Sequence, residues 1–504
     1  MAMKLQLNTM FVTAVHMAYV YSVFAILLVN MCFALYEDQV GLFDWRQQYI
    51  GNSKDLYFEQ STHNSKRVFT TTEENVLAAL NARTGQIMWR KVFEREDGVI
   101  SSLLHSSNSL VTISAQGKTV RSWDPNKGHL LWESISQHGM SRPTRERSEA
   151  KYIKGHTSLL LEEEIGAIVA SSFSTVRMIS QSDGSDIWGG EYTVSELNSN
   201  IMGVAKLDDR ITVFILQQED SLFISVRHLD IENGKLLEEI KIPAVWMAEK
   251  GVACDMVSGT FLVCLIPAER TLKVNNYASK SDLFHTVKLD DLSNLQSTAS
   301  YTPTIHTLSK QSDNFFIRLN SSHIILATIN ENSQVQLVRE VQKPGFYSEV
   351  YLSQQKYIFE VLKDVSNVAE SLHINVYKSD DIVNPIKKLE TKISMGSHSG
   401  MGSPISGAVY AYSKRSDINY RITVVFEEHS LSLIQNMGNN VGKILWVRNE
   451  ALSGVTSTKM IELPPSASAS KLELLHNEFA VLPNSKSLIN NVIMHTLIKL
   501  CPAQ

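Results

Sequence analysis

The apolar residues of this chain fall in short runs broken by polar turns, a strand-and-turn rhythm with no sustained helical period. Four stretches show it most clearly: "RVFTTTEENVLAALNARTGQIMWRKV", "SLVTISAQGKTVRSWDPNKGHLLWESI", "AIVASSFSTVRMISQSDGSDIWGGEY" and "ITVFILQQEDSLFISVRHLDIENGKLLEEIKI". Each reads as strand, polar turn, strand, glycine turn, strand. The predicted unit is a three-strand meander.

A spacing recurs inside the unit. Gly41 precedes Trp45, Gly85 precedes Trp89, Gly128 precedes Trp132, Gly184 precedes Trp188, and Gly442 precedes Trp446, always by four residues. Five of the seven tryptophans obey the rule, whereas 24 glycines in 504 residues would give about a third of one match by chance. A degenerate copy at Gly234 has Glu238 where the aromatic should stand. Successive glycines from Gly41 to Gly234 lie 44, 43, 56 and 50 residues apart, and the gap of 208 to Gly442 leaves room for about four more units. This is the signature of an all-β propeller of about seven to eight blades, and the unit "NVLAALNARTGQIMW" resembles the repeat of quinoprotein-like propellers.

The residue types suit that packing. Glycine supplies φ > 0 at the end of a tight turn, where a side chain would be strained. "QIMW", "HLLW" and "KILW" are apolar on both strand faces, as a sheet between two neighbours requires. The tryptophan is expected to fill the wedge between blades, burying about 200 Å². The Gly41–Trp45 copy has no meander before it, so it is expected to act as a lone outer strand from the N-terminus that closes the ring. Between about 270 and 420 strands are legible, "SHIILATI", "QKYIFEVL" and "SLHINVYK" among them, but the motif is not.

Ahead of the repeats, residues 10 to 34 are mostly apolar and end in "CFA", which reads as a signal peptide over 1–34; an uncleaved anchor is the alternative. The propeller is expected over 35–455, followed by an atypical segment, 456–504, opening on a Pro/Ser/Ala-rich break. Beyond Cys32 and Cys501, Cys254 and Cys264 flank a predicted hairpin, where they can be a disulfide or two buried thiols. Asn320 opens a sequon, Asn320-Ser321-Ser322, a glycosylation acceptor if exposed in an oxidising lumen. A net charge of −5 and the lack of a long basic block argue against nucleic acid.

Catalytic and metal motifs are missing. "GNNVGKI" has too few residues between its glycines for a phosphate loop, "GSHSGMGSPISG" places His398 where a nucleophile elbow needs serine, and the 15 histidines form no zinc pattern. "SRPTRERSEAK" and "LEEE" (161–164) read as solvated loops.

Taken together, "YEDQVGLFDWRQQYIG", "NVLAALNARTGQIMWR", "RSWDPNKGHLLWE" and "GKILWVRNEAL" resemble the family of large first subunits of the endoplasmic reticulum membrane protein complex, over roughly residues 35 to 455. The resemblance implies a lumenal propeller that scaffolds other subunits of the complex and contacts membrane-protein clients. It implies no catalysis, cofactor, metal or small-molecule substrate, and a role in inserting tail-anchored and multipass proteins. Members of that family carry a second propeller and a C-terminal membrane helix; neither is recognisable here, and the sequence after about Leu463 does not follow the family pattern. Two other groups share the repeat: quinoprotein dehydrogenases, whose neighbouring cysteines and calcium ligands are not recognisable, and the lumenal sensors of unfolded-protein-response kinases, whose membrane span and kinase motifs are not present.

Overall fold

The computed structural model describes residues 49–450 except 60–64, 107–108, 137–156, 197, 280–282, 290–302, 310–311, 353, 366–369, 393–401, 415–416, 428–429 and 437–441. Within them the chain forms eight four-stranded antiparallel sheets, each built from strands consecutive in sequence. In the first, β1 (Ser53–Phe58), β2 (Arg67–Thr72), β3 (Val76–Asn81) and β4 (Ile87–Val92) pair in that order. The other sheets repeat it at 100–135, 158–193, 199–243, 253–288, 304–341, 345–392 and 404–449. These eight sheets are blades 1 to 8.

Each blade has one strand more than the meander read from the sequence. The additional strand comes first and is innermost, as in "SKDLYF" and "ISSLLH", where mixed polarity hides the strand pattern. The second and third strands are the buried centre: "RVFTTT" and "VLAALN" are almost entirely buried. They lie between two neighbouring sheets, so both faces are covered.

Eight hydrophobic clusters fill the eight gaps between blades. Phe69, Leu77 and Ala79 of blade 1 meet Leu103, Leu110 and Trp123 of blade 2, and the pattern continues around to Tyr357, Phe359 and Ile374 of blade 7 against Tyr420, Ile422 and Phe426 of blade 8. The last gap closes the ring, where Val425 and Trp446 of blade 8 pack with Val68, Ala78 and Leu80 of blade 1. A carboxylate completes the seam: Glu450 Oε2 accepts from the backbone N–H groups of Ile50 at 2.8 Å and Gly51 at 3.2 Å, while Arg448 holds Oε1.

Among the described residues, the four strands of blade 8 all come from 404–449. The Gly41–Trp45 copy expected to close the ring lies outside the described residues, as do 1–34 and 456–504. No helix among the described residues is long and apolar enough to cross a membrane.

Candidate functional site

Every repeat glycine among blades 1 to 4 sits in the turn between the third and fourth strands, at φ of 70° (Gly85), 68° (Gly128), 76° (Gly184) and 68° (Gly234). The turn is fixed by its own backbone. The N–H of Gly85, Gly128 and Gly234 donates to the carbonyl four residues back, each at 2.8 Å, and Gly184 does so at 3.0 Å. Asn81, Asp124 and Asp230 open three of the turns and accept from the N–H two residues on, at 2.8, 2.9 and 3.1 Å.

The tryptophan does not serve its own blade's turn. Trp89 of blade 1 lies over Gly128 of blade 2, Trp132 over Gly184, Trp188 over Gly234, and Trp446 of blade 8 over Gly85 of blade 1. A Cβ placed on any of these glycines would stand 2.5 to 2.6 Å from an indole carbon. Glycine is therefore required twice, by the left-handed backbone and by the ring above it. Each indole N–H donates to the carbonyl three residues before that glycine: Trp89 to Pro125 at 3.0 Å, Trp132 to Gln181 at 2.9 Å, Trp188 to Ile231 at 2.8 Å and Trp446 to Ala82 at 3.3 Å. Both the apolar face and the polar edge of the ring are satisfied by the next blade.

The series stops at blade 4, where Glu238 stands in the aromatic position. There Trp246, from the short helical turn Val245–Ala248 leading into blade 5, meets Phe284 in the glycine-turn position of blade 5, edge to face with centroids 5.2 Å apart. Gly442 also departs from the expected role. It opens the fourth strand of blade 8 without a positive φ, and its missing side chain makes room for Leu389 and Thr391 of blade 7, a blade that carries no tryptophan.

Polar joints that the sequence reading missed reinforce several interfaces. Arg177 of blade 3 reaches Ser134 of blade 2 at 3.2 Å. Arg227 of blade 4 reaches the Tyr192 hydroxyl of blade 3 at 3.0 Å and Glu239 at 3.1 Å, and also pairs with Glu196. Glu162, inside the "LEEE" segment, is not solvated: it ends the first strand of blade 3, is buried, and accepts from Lys206 of blade 4 at 2.8 Å. Its neighbours Glu163 and Glu164 are exposed as expected. Blade 7 buries Glu360 completely, where Asn375 (2.7 Å), Tyr347 (2.8 Å) and Tyr377 (2.9 Å) donate to it and Arg339 of blade 6 pairs with it at 2.9 Å. Burial, then the Glu360 charge, pushes both tyrosine hydroxyls well above the usual range. The pairs Arg177–Ser134, Arg227–Tyr192, Lys206–Glu162 and Arg339–Glu360 were invisible in sequence because their members lie on different blades.

Titratable groups on the innermost strands are perturbed. Burial raises Asp55 against the opposing pull of Thr71 and Lys54. Tyr57 keeps 37% of its surface exposed, yet burial and then the Asp55 charge push it up to about 12. His306, stacked on Phe316 at 4.9 Å, is also exposed by surface area, yet burial among neighbouring atoms and then Arg318 drive it down to about 4. Among the described residues no three His, Cys, Asp or Glu side chains converge as metal ligands.

Cys254 and Cys264 are directly opposed on the first two strands of blade 5, with their sulfurs 2.04 Å apart. Asn320 stands at the hairpin between the second and third strands of blade 6; its Oδ1 accepts from the Ser322 N–H at 2.9 Å and hydroxyl at 3.1 Å. Ser322 is exposed and Asn320 half-buried.

Residues 34–450 match a family model described as the EMC1 N-terminal beta-propeller domain. The chain is 27% identical over 483 residues to ER membrane protein complex subunit 1 of Gallus gallus, covering 89% of this chain and 46% of that one. It is 23% identical over 475 residues to the same subunit of Xenopus laevis, covering 87% and 45%. It thus spans about half the length of these relatives. Among solved structures, Saccharomyces cerevisiae Sqt1 aligns with a TM-score of 0.48 at 11% identity, over 78% of this chain and 96% of that one. The match to the family model across most of the chain makes this protein a member of the EMC1 N-terminal beta-propeller family.

Proposed function

We propose that this propeller is a non-catalytic, lumenal scaffold of the endoplasmic reticulum membrane protein complex, contacting its other subunits and supporting insertion of tail-anchored and multipass proteins. Family membership supports the assignment to the complex. One structural observation carries the non-catalytic part: the repeat's distinctive residues are used up in holding blade to blade. The four repeat indoles among the described residues, Trp89, Trp132, Trp188 and Trp446, each have a face against the next blade's glycine and the N–H on the next blade's carbonyl. Function on such a fold resides in a site and not in the repeat, which weighs against the quinoprotein dehydrogenase reading.

Tagged chain expressed in cells and purified from solubilised microsomes is expected to bring down the other subunits of the complex. Recovery as a free species would overturn the scaffold reading, and dye-linked substrate oxidation after addition of pyrroloquinoline quinone and calcium would overturn the non-catalytic one. Lumenal placement has its own readout. Endoglycosidase treatment is expected to increase gel mobility, and Asn320→Gln to abolish that increase.

A further inference from the structure

Three blades carry an arginine at one repeat position. Arg121, Arg177 and Arg227 each stand seven residues before the repeat glycine of their blade, Gly128, Gly184 and Gly234, on the third strand. All three are withdrawn from solvent, with side-chain exposures of 13%, 1% and 7%. In blades 2 and 4 the guanidinium is held by two carboxylates. One lies across the outer strand pair, five residues after the glycine: Glu133, 2.5 Å from Arg121 Nε, and Glu239, 3.1 Å from Arg227 Nε. The other comes from the connector into the same blade, three residues before its first strand: Asp97, 2.8 Å from Arg121 Nη2, and Glu196 on Arg227 Nη2.

Blade 3 departs at both positions. Gly189 stands five residues after Gly184, where its neighbours have glutamate, and residues 150–157, which lead into the first strand Ser158–Glu162, include no Asp or Glu. Arg177, the most buried of the three, has Glu191 only at 3.9 Å from Nε, and Glu191 itself accepts from the Ser136 hydroxyl at 2.8 Å. Nη1 donates to Ser134 at 3.2 Å. Nη2 is buried and has no hydrogen-bond partner among the described residues. Pairing with the fourth strand breaks at the same place: Val176 faces Tyr192 and Ile179 faces Asp186, so residues 187–191 bulge opposite Arg177. A Cβ on Gly189 or Gly190 would meet nothing within 4 Å, which leaves this edge of the blade open. Burial outweighs Glu191 and Asp186 and holds Arg177 below the usual arginine range, whereas in Arg227 the pull of burial is exceeded by Glu196, Tyr192 and Glu239. A buried guanidinium with an unmade hydrogen bond is costly, and its fork matches a carboxylate.

We propose that the outer edge of blade 3 is a binding site for one carboxylate group, which enters at Gly189 and Gly190 and takes the Nη2 of Arg177, as Asp97 and Glu196 do for the arginines of blades 2 and 4. The group belongs either to a free small acid or to an acidic side chain of another polypeptide; the recognition chemistry is the same. This goes beyond the scaffold reading and does not depend on it.

The purified full chain is to be melted in sodium acetate and in sodium chloride at equal ionic strength. Acetate well above its dissociation constant is expected to raise the midpoint by about 1–2 °C, and its methyl signal to show saturation transfer from the protein. Gly189→Glu restores the carboxylate that blades 2 and 4 carry and should abolish both responses. Gly189→Gln, equally strained at a φ of 71° but uncharged, should keep them. Arg177→Lys, which keeps the charge and loses the fork, should weaken acetate about tenfold. A blocked peptide with one glutamate separates the sources: tighter binding than acetate, lost when that residue is glutamine, marks a polypeptide, and binding of acetate alone marks a free acid; either supports the site. No acetate effect in the parent, or an effect that survives in Gly189→Glu, overturns the proposal. So does a midpoint lowered by Glu146→Gln with Glu149→Gln and restored by acetate, which would mean that the chain's own carboxylate already fills the site.

Discussion

The ring is joined in two ways. From blade 8 through blades 1, 2 and 3 to blade 4, each interface carries a tryptophan laid over the next blade's glycine turn. From blade 4 through blades 5, 6 and 7 to blade 8 that device is absent among the described residues, and the joints rest on apolar clusters, the Trp246–Phe284 contact and buried polar groups around Glu360. Blade shape and strand order are the same in both arcs. The difference teaches that the fold demands filled wedges and satisfied polar edges, not a particular residue. The repeated device is one solution, and local inventions serve where it has decayed.

The sharpest test of the tryptophan arc is Trp89→Ala, which removes a large side chain and its hydrogen bond to Pro125; a loss of about 3–5 kcal/mol is expected in chemical denaturation. A change below about 1 kcal/mol would mean that the arc does not depend on its tryptophans. In the other arc, Glu360→Ala leaves two buried tyrosine hydroxyls and Arg339 without their acceptor, and about 3 kcal/mol should be lost. Equal losses would show that the two arcs differ in chemistry and not in strength.

Gly128→Ala should lose about 2 kcal/mol, from the positive φ and the Trp89 ring in the way of the new methyl. Combined with Trp89→Ala, the loss should be well short of the sum, because the clash goes with the indole; strict additivity would refute the pairing of these two residues. In blade 5, replacing Cys254 and Cys264 by serine should cost about 2 kcal/mol, the constraint on a short loop. An equal midpoint with and without reductant in the parent would instead identify free thiols.

The smallest effect concerns acid. His306 has its folded pKa lowered from 6.5 to about 4. Between those values the unfolded chain binds the proton and the folded chain does not. Its contribution is therefore whole above about pH 6.5 and is lost as pH falls towards 4. Melting temperature across that window should fall less steeply in His306→Gln than in the parent; parallel slopes would remove His306 from the account.

Much of the tryptophan arc was legible because one device is written there repeatedly: Gly85, Gly128 and Gly184 with their tryptophans announce both the turn and the wedge. What was not legible is which blade each ring serves, since spacing along the chain says nothing of contact across a gap. The innermost strands were missed because residues such as Lys54, Asp55 and Tyr57 line the inner edge of a blade and break the apolar alternation. Glu162 was misread for a related reason: its partner Lys206 lies 44 residues away on another sheet. The second arc gave only strands, because Glu360, Arg339 and Trp246 belong to no repeat.

The tryptophan joint has a direction. A blade offers its ring forwards and its glycine turn backwards, so two blades meet by unlike surfaces, the heterologous kind of contact that either closes on itself or runs on without limit. Any open run of such blades would carry a bare indole at one end and a vacant turn at the other, each made to fit the other on a second molecule. Trp446 over Gly85 and Glu450 on Ile50 therefore do more than seal a seam. By joining the first and last blades of one molecule they remove the complementary ends through which an unclosed chain would polymerise or exchange blades with its neighbours.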